Sequence, residues 1–256
     1  MDEHFAKDIR YHAAIAHEYD SVITEPRTFA NHLLFGALDP LIVRGARMLD
    51  VGCGTGQMLV RYARFFDAAT GIDHSPQMLN QARANLDTAG LHGAHLQQSD
   101  LMEFLRRDDR YYDLIACVGC LHHFPHANIP DALAALSRRL ALGGVFLFAE
   151  PIEVLADTLP AEIEQWNAAS VMRGRSYSGH AEDPDEGPLP LILLHNALAA
   201  SGLITVAESR GWEMFPQHLP PTVADRITLW KMHHRYGTNG NIYAAVAMRS
   251  DDLQAV

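Results

Sequence analysis

Met48-Leu-Asp-Val-Gly-Cys-Gly-Thr-Gly-Gln57 is the stretch whose reading decides the architecture. A short apolar run carrying Asp50 breaks into Gly52, Gly54 and Gly56. A buried parallel strand that enters a tight turn and then a helix gives this pattern. Glycines let the backbone take positive φ and approach a ligand closely. The first N–H groups of the new helix lack intrahelical partners and can receive a polar ligand. The stretch therefore points to a nucleotide-like cofactor. A dinucleotide fingerprint, G-x-G-x-x-G or Ala, would need a small residue at position 57. Gln57 stands there instead, with the third glycine at 56, and an NAD oxidoreductase is set aside on that ground. A glycine turn alone also suits an ordinary tight loop, so the spacing downstream decides.

Asp73 follows Gly54 by nineteen residues and ends the run AATGID. An acid at the tip of a second strand can accept both hydroxyls of a ribose. Taken alone, it could equally cap the helix that opens in SPQMLNQARANL. Asp100 lies just past a third short strand in HLQQSDLMEF and could cap the helix of LMEFLRR. YYDLIACVGCLHHF supplies a fourth strand ending near Val118, and LGGVFLFAEP a fifth entered through Gly143-Gly144.

With Asp50 in front, the string D-x-G-x-G-x-G resembles motif I of the class I S-adenosylmethionine (SAM) methyltransferases. The resemblance covers residues 45–151 closely and the flanks loosely. It implies SAM as cofactor, held at the turn by Asp50, Gly52, Cys53, Gly54 and Gly56. It implies that Asp73 binds the ribose, with His74 and Met78 beside it. Asp100 would accept from the adenine amino group, aided by backbone N–H groups at Ser99 and Leu101. A backbone carbonyl at Cys117 or Val118 would face the methionine ammonium. YHAAIAHEYD, residues 11–20, resembles the lead helix that many small-molecule methyltransferases fold over bound SAM. Its Tyr11 and Tyr19 lie eight apart, close to one helical face. The same two residues suit half-buried tyrosines on any amphipathic surface helix.

Composition narrows the class. A length of 256 residues predicts one large α/β domain, or one with an inserted cap, and 48% hydrophobic residues suffice for a core. No stretch approaches the roughly 20 apolar residues of a membrane span, and the N-terminus does not resemble a signal peptide. Three cysteines, Cys53, Cys117 and Cys120, supply neither a disulfide framework nor the paired C-x-x-C motifs of a zinc knuckle. A cytoplasmic location is expected. The net charge of −11 and the lack of any long basic run disfavour nucleic acid. CVGC also stands where methyltransferases of DNA-base amino groups resemble one another in a [DNS]-P-P-[YFW] loop.

The alternation of apolar runs predicts strands at 46–51, 68–72, 94–98, 112–118, 143–149, 203–208 and 242–248. Helices are expected near 8–20, 27–38, 56–66, 76–88, 101–107, 129–141, 158–172, 189–200 and 221–233. The fold class is thus α/β: a seven-stranded, mostly parallel, Rossmann-like sheet whose last strand is antiparallel, with helices on both faces and an inserted helical lid. Residues 1–45 are expected to form an N-terminal helical lid and 46–256 the SAM-binding domain. Insertions at 151–200 and 209–241 would form a substrate cap, because material inserted after the strand ends lies where open α/β sheets bind ligands.

Methyl transfer from a sulfonium is an in-line displacement in which the protein aligns the partners and excludes water. A base helps when the acceptor is a hydroxyl or a protonated amine. Candidates are His123, Glu150 and His234, with His122, His195 and His233 also placed at strand ends or insertions. Each also suits a structural or solvated side chain. Trp212, Trp230, His233 and Tyr236 form the expected acceptor-binding set, and helix packing would use the same aromatics. Among fifteen histidines no spacing is metal-like, and no metal is expected. The predicted activity is methylation at O or N of a small, heteroaromatic or secondary-metabolite acceptor, by a monomer or homodimer with no nucleic-acid or membrane partner. Alternatives are a non-catalytic SAM-binding sensor or partner subunit, and aminopropyl transfer, whose GGGDG-like turn differs from GCGTG.

Overall fold

The structure, a computed structural model, describes residues 3–153, 187–212, 222–236 and 240–253. The helix expected at 158–172 and most of the loop 173–190 lie outside the described residues. Seven strands form one sheet: β1 Gly45–Val51, β2 Phe66–Asp73, β3 His95–Gln98, β4 Tyr112–Val118, β5 Leu140–Pro151, β6 Leu203–Gly211 and β7 Ile242–Arg249. Their order is β3-β2-β1-β4-β5-β7-β6. β7 runs antiparallel to both its neighbours, and the other six strands are parallel. The expected topology is therefore the observed one.

The alternation of β1 shows why this sequence makes a two-faced sheet. Side chains of a strand point alternately to opposite faces. Leu49 and Val51 enter a core with Phe104, Leu133 and Leu198, while Met48 enters a second core with Phe35, Leu59 and Leu86. A strand buried on both faces reads as a near-continuous apolar run, as MLDV does.

Helices α1 Glu3–Ile15, α2 Glu25–Gly36, α3 Gln57–Tyr62, α4 Pro76–Thr88, α5 Leu101–Arg107 and α6 Ile129–Ser137 precede or link the first five strands. α7 Leu191–Ala200, α8 Val223–Tyr236 and α9 Ser250–Leu253 follow. α4 starts where the sequence dictates: Ser75 accepts from Met78 N at 3.3 Å, and Pro76 occupies the first helical position.

The expected helix 8–20 is corrected at its end. α1 stops at Ile15 and a π-helical turn, Asp20–Thr24, follows before α2. The carboxylate of Asp20 accepts from Thr55 Oγ1 at 2.7 Å and from Asn85 Nδ2 at 2.6 Å. These tertiary bonds to the glycine-rich turn and to α4 outweigh continuation of the helix. α6 likewise ends at Ser137, short of the expected 141, because β5 begins at Leu140.

Strand order reverses between β1 and β4, where the sheet opens a crevice at its carboxyl edge. Val51, Asp73, Gln98, Val118 and Pro151 end the strands along that edge. No helix among the described residues is long and apolar enough to cross a membrane.

Candidate active-site cleft

A cleft of about 1940 Å³ runs along this edge. Single small-molecule sites are typically about 300–1,000 Å³, so the space exceeds what one ligand needs. Its floor is the turn after β1. Gly52, Gly54 and Gly56 have φ of 61°, 51° and 82°, a region that side chains rarely tolerate. A Cβ on Gly52 would come within 2.5 Å of Cys120 Sγ, whereas one on Gly54 would meet nothing within 4 Å. Gly52 is thus required by packing against the turn after β4. Gly54 exposes bare backbone to the cleft.

Asp73 closes the same turn. Its Oδ2 accepts from Gly54 N and its Oδ1 from Ser75 N, both at 2.8 Å. Each oxygen keeps a second lone pair for a ligand hydroxyl. Asp50 lies behind it, buried, with Oδ2 lacking a hydrogen-bond partner. Burial and then the charge of Asp73 push the Asp50 carboxyl well above its ordinary range, against a backbone bond from Leu59. Ser99 N donates to the Asp73 carbonyl at 3.0 Å. Asp100 caps α5 through Glu103 N at 2.8 Å, and Ser99, Asp100 and Leu101 all line the cleft. The cap and the cleft position coexist in one residue. Cys53 lines the floor, and burial raises its thiol pKa. Val118 also faces the cleft, whereas Cys117 lies fully buried in the core beneath it.

The N-terminal segment roofs this floor. Tyr11 and Tyr19 pack with Ile15, Ala16 and Met78, and Tyr11, Tyr19, His74 and Met78 line the cleft. Asp8 of α1 is buried beneath His12, His74 and His123. Burial opposes its ionisation, yet the close imidazoles of His12, His123 and His74 hold its carboxyl well below the usual carboxylate range.

Across the cleft stands the turn after β4. Glu150 is fully buried; its Oε1 accepts from the N–H groups of Cys120 at 3.0 Å and Leu121 at 2.8 Å. Its Oε2 lies 3.3 Å from His122 N and 2.7 Å from His122 Nδ1. All four contacts go to one turn, so Glu150 orients that turn and the His122 ring instead of presenting a loose carboxylate. The His123 ring lies against that of His122, centroids 4.1 Å apart and tilted by 35°, and reaches Asp8.

α8 divides the expected acceptor set by helical phase. Leu229 and His233 line the cleft, as does Trp212 at the end of β6. Trp230 and His234, also four apart, occupy another face, where Trp230 is 47% exposed and its ring lies 4.2 Å from that of His234. The structure thus places Trp230 and His234 away from the cleft, and the side chain of Tyr236 lies outside what it describes. Burial and neighbouring His234 lower the pKa of His233, which favours its neutral form.

Sequence reasoning missed Asp8, His12 and Asp20 as contributors. The Asp8-x-x-x-His12 spacing signals one helical face, but the partners of Asp8 and Asp20 are supplied by distant segments.

The sequence and the fold both have counterparts among known proteins. Residues 48–144 match the family model described as a methyltransferase domain. A ubiquinone biosynthesis O-methyltransferase of Pasteurella multocida is 33% identical over 142 residues, 52% of this chain and 53% of that protein. A probable methyltransferase of Aspergillus luteorubrus, ltbC, is 30% identical over 44% of this chain and 43% of its own. The chain spans about half the length of these curated relatives. Among solved structures, a DhpI complex with S-adenosylhomocysteine superposes with TM-score 0.63 at 18% identity, covering 95% of this chain and 96% of that one. A magnesium protoporphyrin IX methyltransferase from Synechocystis, with the same ligand bound, gives 0.55 at 12% identity, covering 90% and 85%.

Proposed function

We propose that this chain, which carries a methyltransferase domain of class I, SAM-dependent type, methylates an oxygen or nitrogen of a small acceptor. The observation that carries the reading is the joining of Gly54 and Asp73 by one hydrogen bond at a cleft floor, with Asp100 on the neighbouring strand end. Bare backbone at Gly54 admits close approach, Asp73 offers lone pairs to a ribose, and Asp100 offers an acceptor to an amino group. These residues fit the cofactor. When bound, it supplies an electrophilic methyl group on a sulfonium.

Everything else falls to the protein. Met78, Tyr11 and Tyr19 roof the floor and exclude water. His122 is the base this geometry favours, because Glu150 engages Nδ1 and so fixes the ring's orientation and tautomer. With the Nδ1 proton held by Glu150, Nε2 is the position that can take a proton from an acceptor hydroxyl or ammonium. Trp212 and His233 supply an aromatic wall and a neutral imidazole to an acceptor ring.

Calorimetry with SAM, and S-adenosylhomocysteine release over a panel of phenols, carboxylic acids and amines, test this reading. Asp73→Ala should weaken SAM by ~10–150-fold, the loss of about 1.5–3 kcal/mol expected for a charge-assisted contact. His122→Asn should lower kcat by ~10²–10⁴-fold and leave SAM affinity unchanged. Tight SAM binding with no turnover on any acceptor would support a sensor or partner subunit, and undiminished affinity in Asp73→Ala would remove the ribose assignment.

A further inference from the structure

One cluster in the cleft is not used by methyl transfer. Asp8 and His12 lie one turn apart on α1, and His123 comes from the turn after β4. Asp8 Oδ1 is 2.9 Å from His12 Nδ1 and 3.1 Å from His123 Nδ1. All three groups line the cleft, and the three donor atoms lie within 4.8 Å of one another. Asp8 is 3% exposed, and its Oδ1 nevertheless makes no well-formed hydrogen bond despite both approaches. His12 Nδ1 instead meets the Asp8 backbone carbonyl at 3.1 Å. A buried carboxylate oxygen left without a hydrogen bond beside two imidazole nitrogens is unusual, because buried polar atoms are nearly always paired.

The spacing suits a shared cation. Zinc binds imidazole nitrogen and carboxylate oxygen at about 2.0–2.2 Å, which puts neighbouring ligand atoms roughly 3–3.5 Å apart. We propose that Asp8, His12 and His123 form a divalent metal site, of one carboxylate and two imidazoles, that takes a Zn²⁺-like first-row ion. Nitrogen and oxygen donors with no thiolate suit zinc, iron or cobalt over calcium or magnesium. Three protein ligands leave a further position for water or a ligand oxygen, the arrangement of catalytic zinc sites, and the site opens on the cleft. His74 Nε2, 3.4 Å from Asp8 Oδ2, provides the outer contact that orients a ligating carboxylate. Because two ligands come from α1 and one from the sheet edge, the ion also fastens the N-terminal helix across the cleft.

The site stands independently of the methyl-transfer reading, and metal binding itself is the measurement. The chelator-treated full chain is titrated with Co²⁺ and followed by visible absorption, and metal content after dialysis against Zn²⁺ is counted by mass spectrometry. One ion per chain is expected, lost in His12→Ala and in His123→Ala and retained in His92→Ala, an exposed histidine outside the cluster. Far-UV circular dichroism confirms that each variant is folded. X-ray absorption on the Zn²⁺-loaded wild-type protein needs no variant and should show a nitrogen and oxygen shell with about two imidazoles. Failure of the wild-type protein to retain an ion overturns the proposal. Binding that survives in both variants, or sulfur in the shell, overturns it too.

Discussion

At the scale of single residues, the two acids of the cofactor turn are unequal. Asp73 is held by backbone donors, whereas Asp50 is buried with one unpartnered oxygen and its carboxyl pKa raised. The sign of the linkage follows directly. A carboxyl whose folded pKa exceeds its unfolded value binds its proton more tightly in the native state. Its stabilising effect is complete below the ordinary carboxylate range and fades as pH rises toward the raised native value. Asp50→Asn removes that loss and keeps an oxygen to accept from Leu59. Urea unfolding should therefore show the variant gaining on wild type as pH increases from about 4 to 7, with little difference at the acidic end. Parallel stability curves would mean that Asp50 sheds its proton without penalty. Gly52, Asp73 and Asp100 were legible in the sequence because strand, turn and helix follow one another locally and fix them. His123, in contrast, meets Asp8 across more than a hundred residues, and no local pattern encodes that distance.

At the scale of elements, the N-terminal segment is fastened at two points. Asp8 engages His74 and His123, and Asp20 engages Thr55 beside the glycine turn and Asn85 on α4. No strand of the sheet comes from this segment. We expect Asp20→Ala to leave the sheet intact, because the lost bonds lie at its rim, and to free the segment to open. Hydrogen exchange should accelerate across residues 3–24 and stay unchanged in β1 and β4. The SAM dissociation constant should rise by roughly 3–10-fold, the loss of one or two hydrogen bonds to a charged group shared with opening. Unchanged exchange in residues 3–24 would show that the Asp8 contacts and the packing of Ile15 on Met78 hold the segment closed without Asp20. Helix existence here was legible from the tyrosine spacing. Its end was not, since the partners that Asp20 meets lie 35 and 65 residues away.

At the scale of the whole molecule, the sheet places the cleft at its carboxyl edge, and the choice of acceptor is proposed to fall to Trp212 and His233. The strands themselves were readable as apolar runs because burial on both faces imposes them residue by residue; their order in the sheet was not read from them. The phase of α8 was not readable either: its apolar periodicity is weak, so Trp230 and the two histidines in WKMHHRY could face either way. Docking resolves it, with Leu229 and His233 toward the cleft and Trp230 and His234 away. This division yields a test of acceptor recognition with an internal control. Trp212 is 2% exposed, so Trp212→Phe keeps an aromatic filler while changing the wall, and His233→Asn keeps a polar group of smaller reach. Both should raise the acceptor's KM by ~5–50-fold, a loss of about 1–2 kcal/mol of ring contact or hydrogen bonding, with SAM affinity unchanged. Trp230→Ala and His234→Ala remove rings that lie against each other at the outer face, and should leave both constants within twofold. Melting temperatures measured on the same four variants separate packing from recognition. A loss of stability at Trp212 or His233 with normal KM would reduce them to supports of the fold, and a raised KM in Trp230→Ala would require that outer face to meet the acceptor.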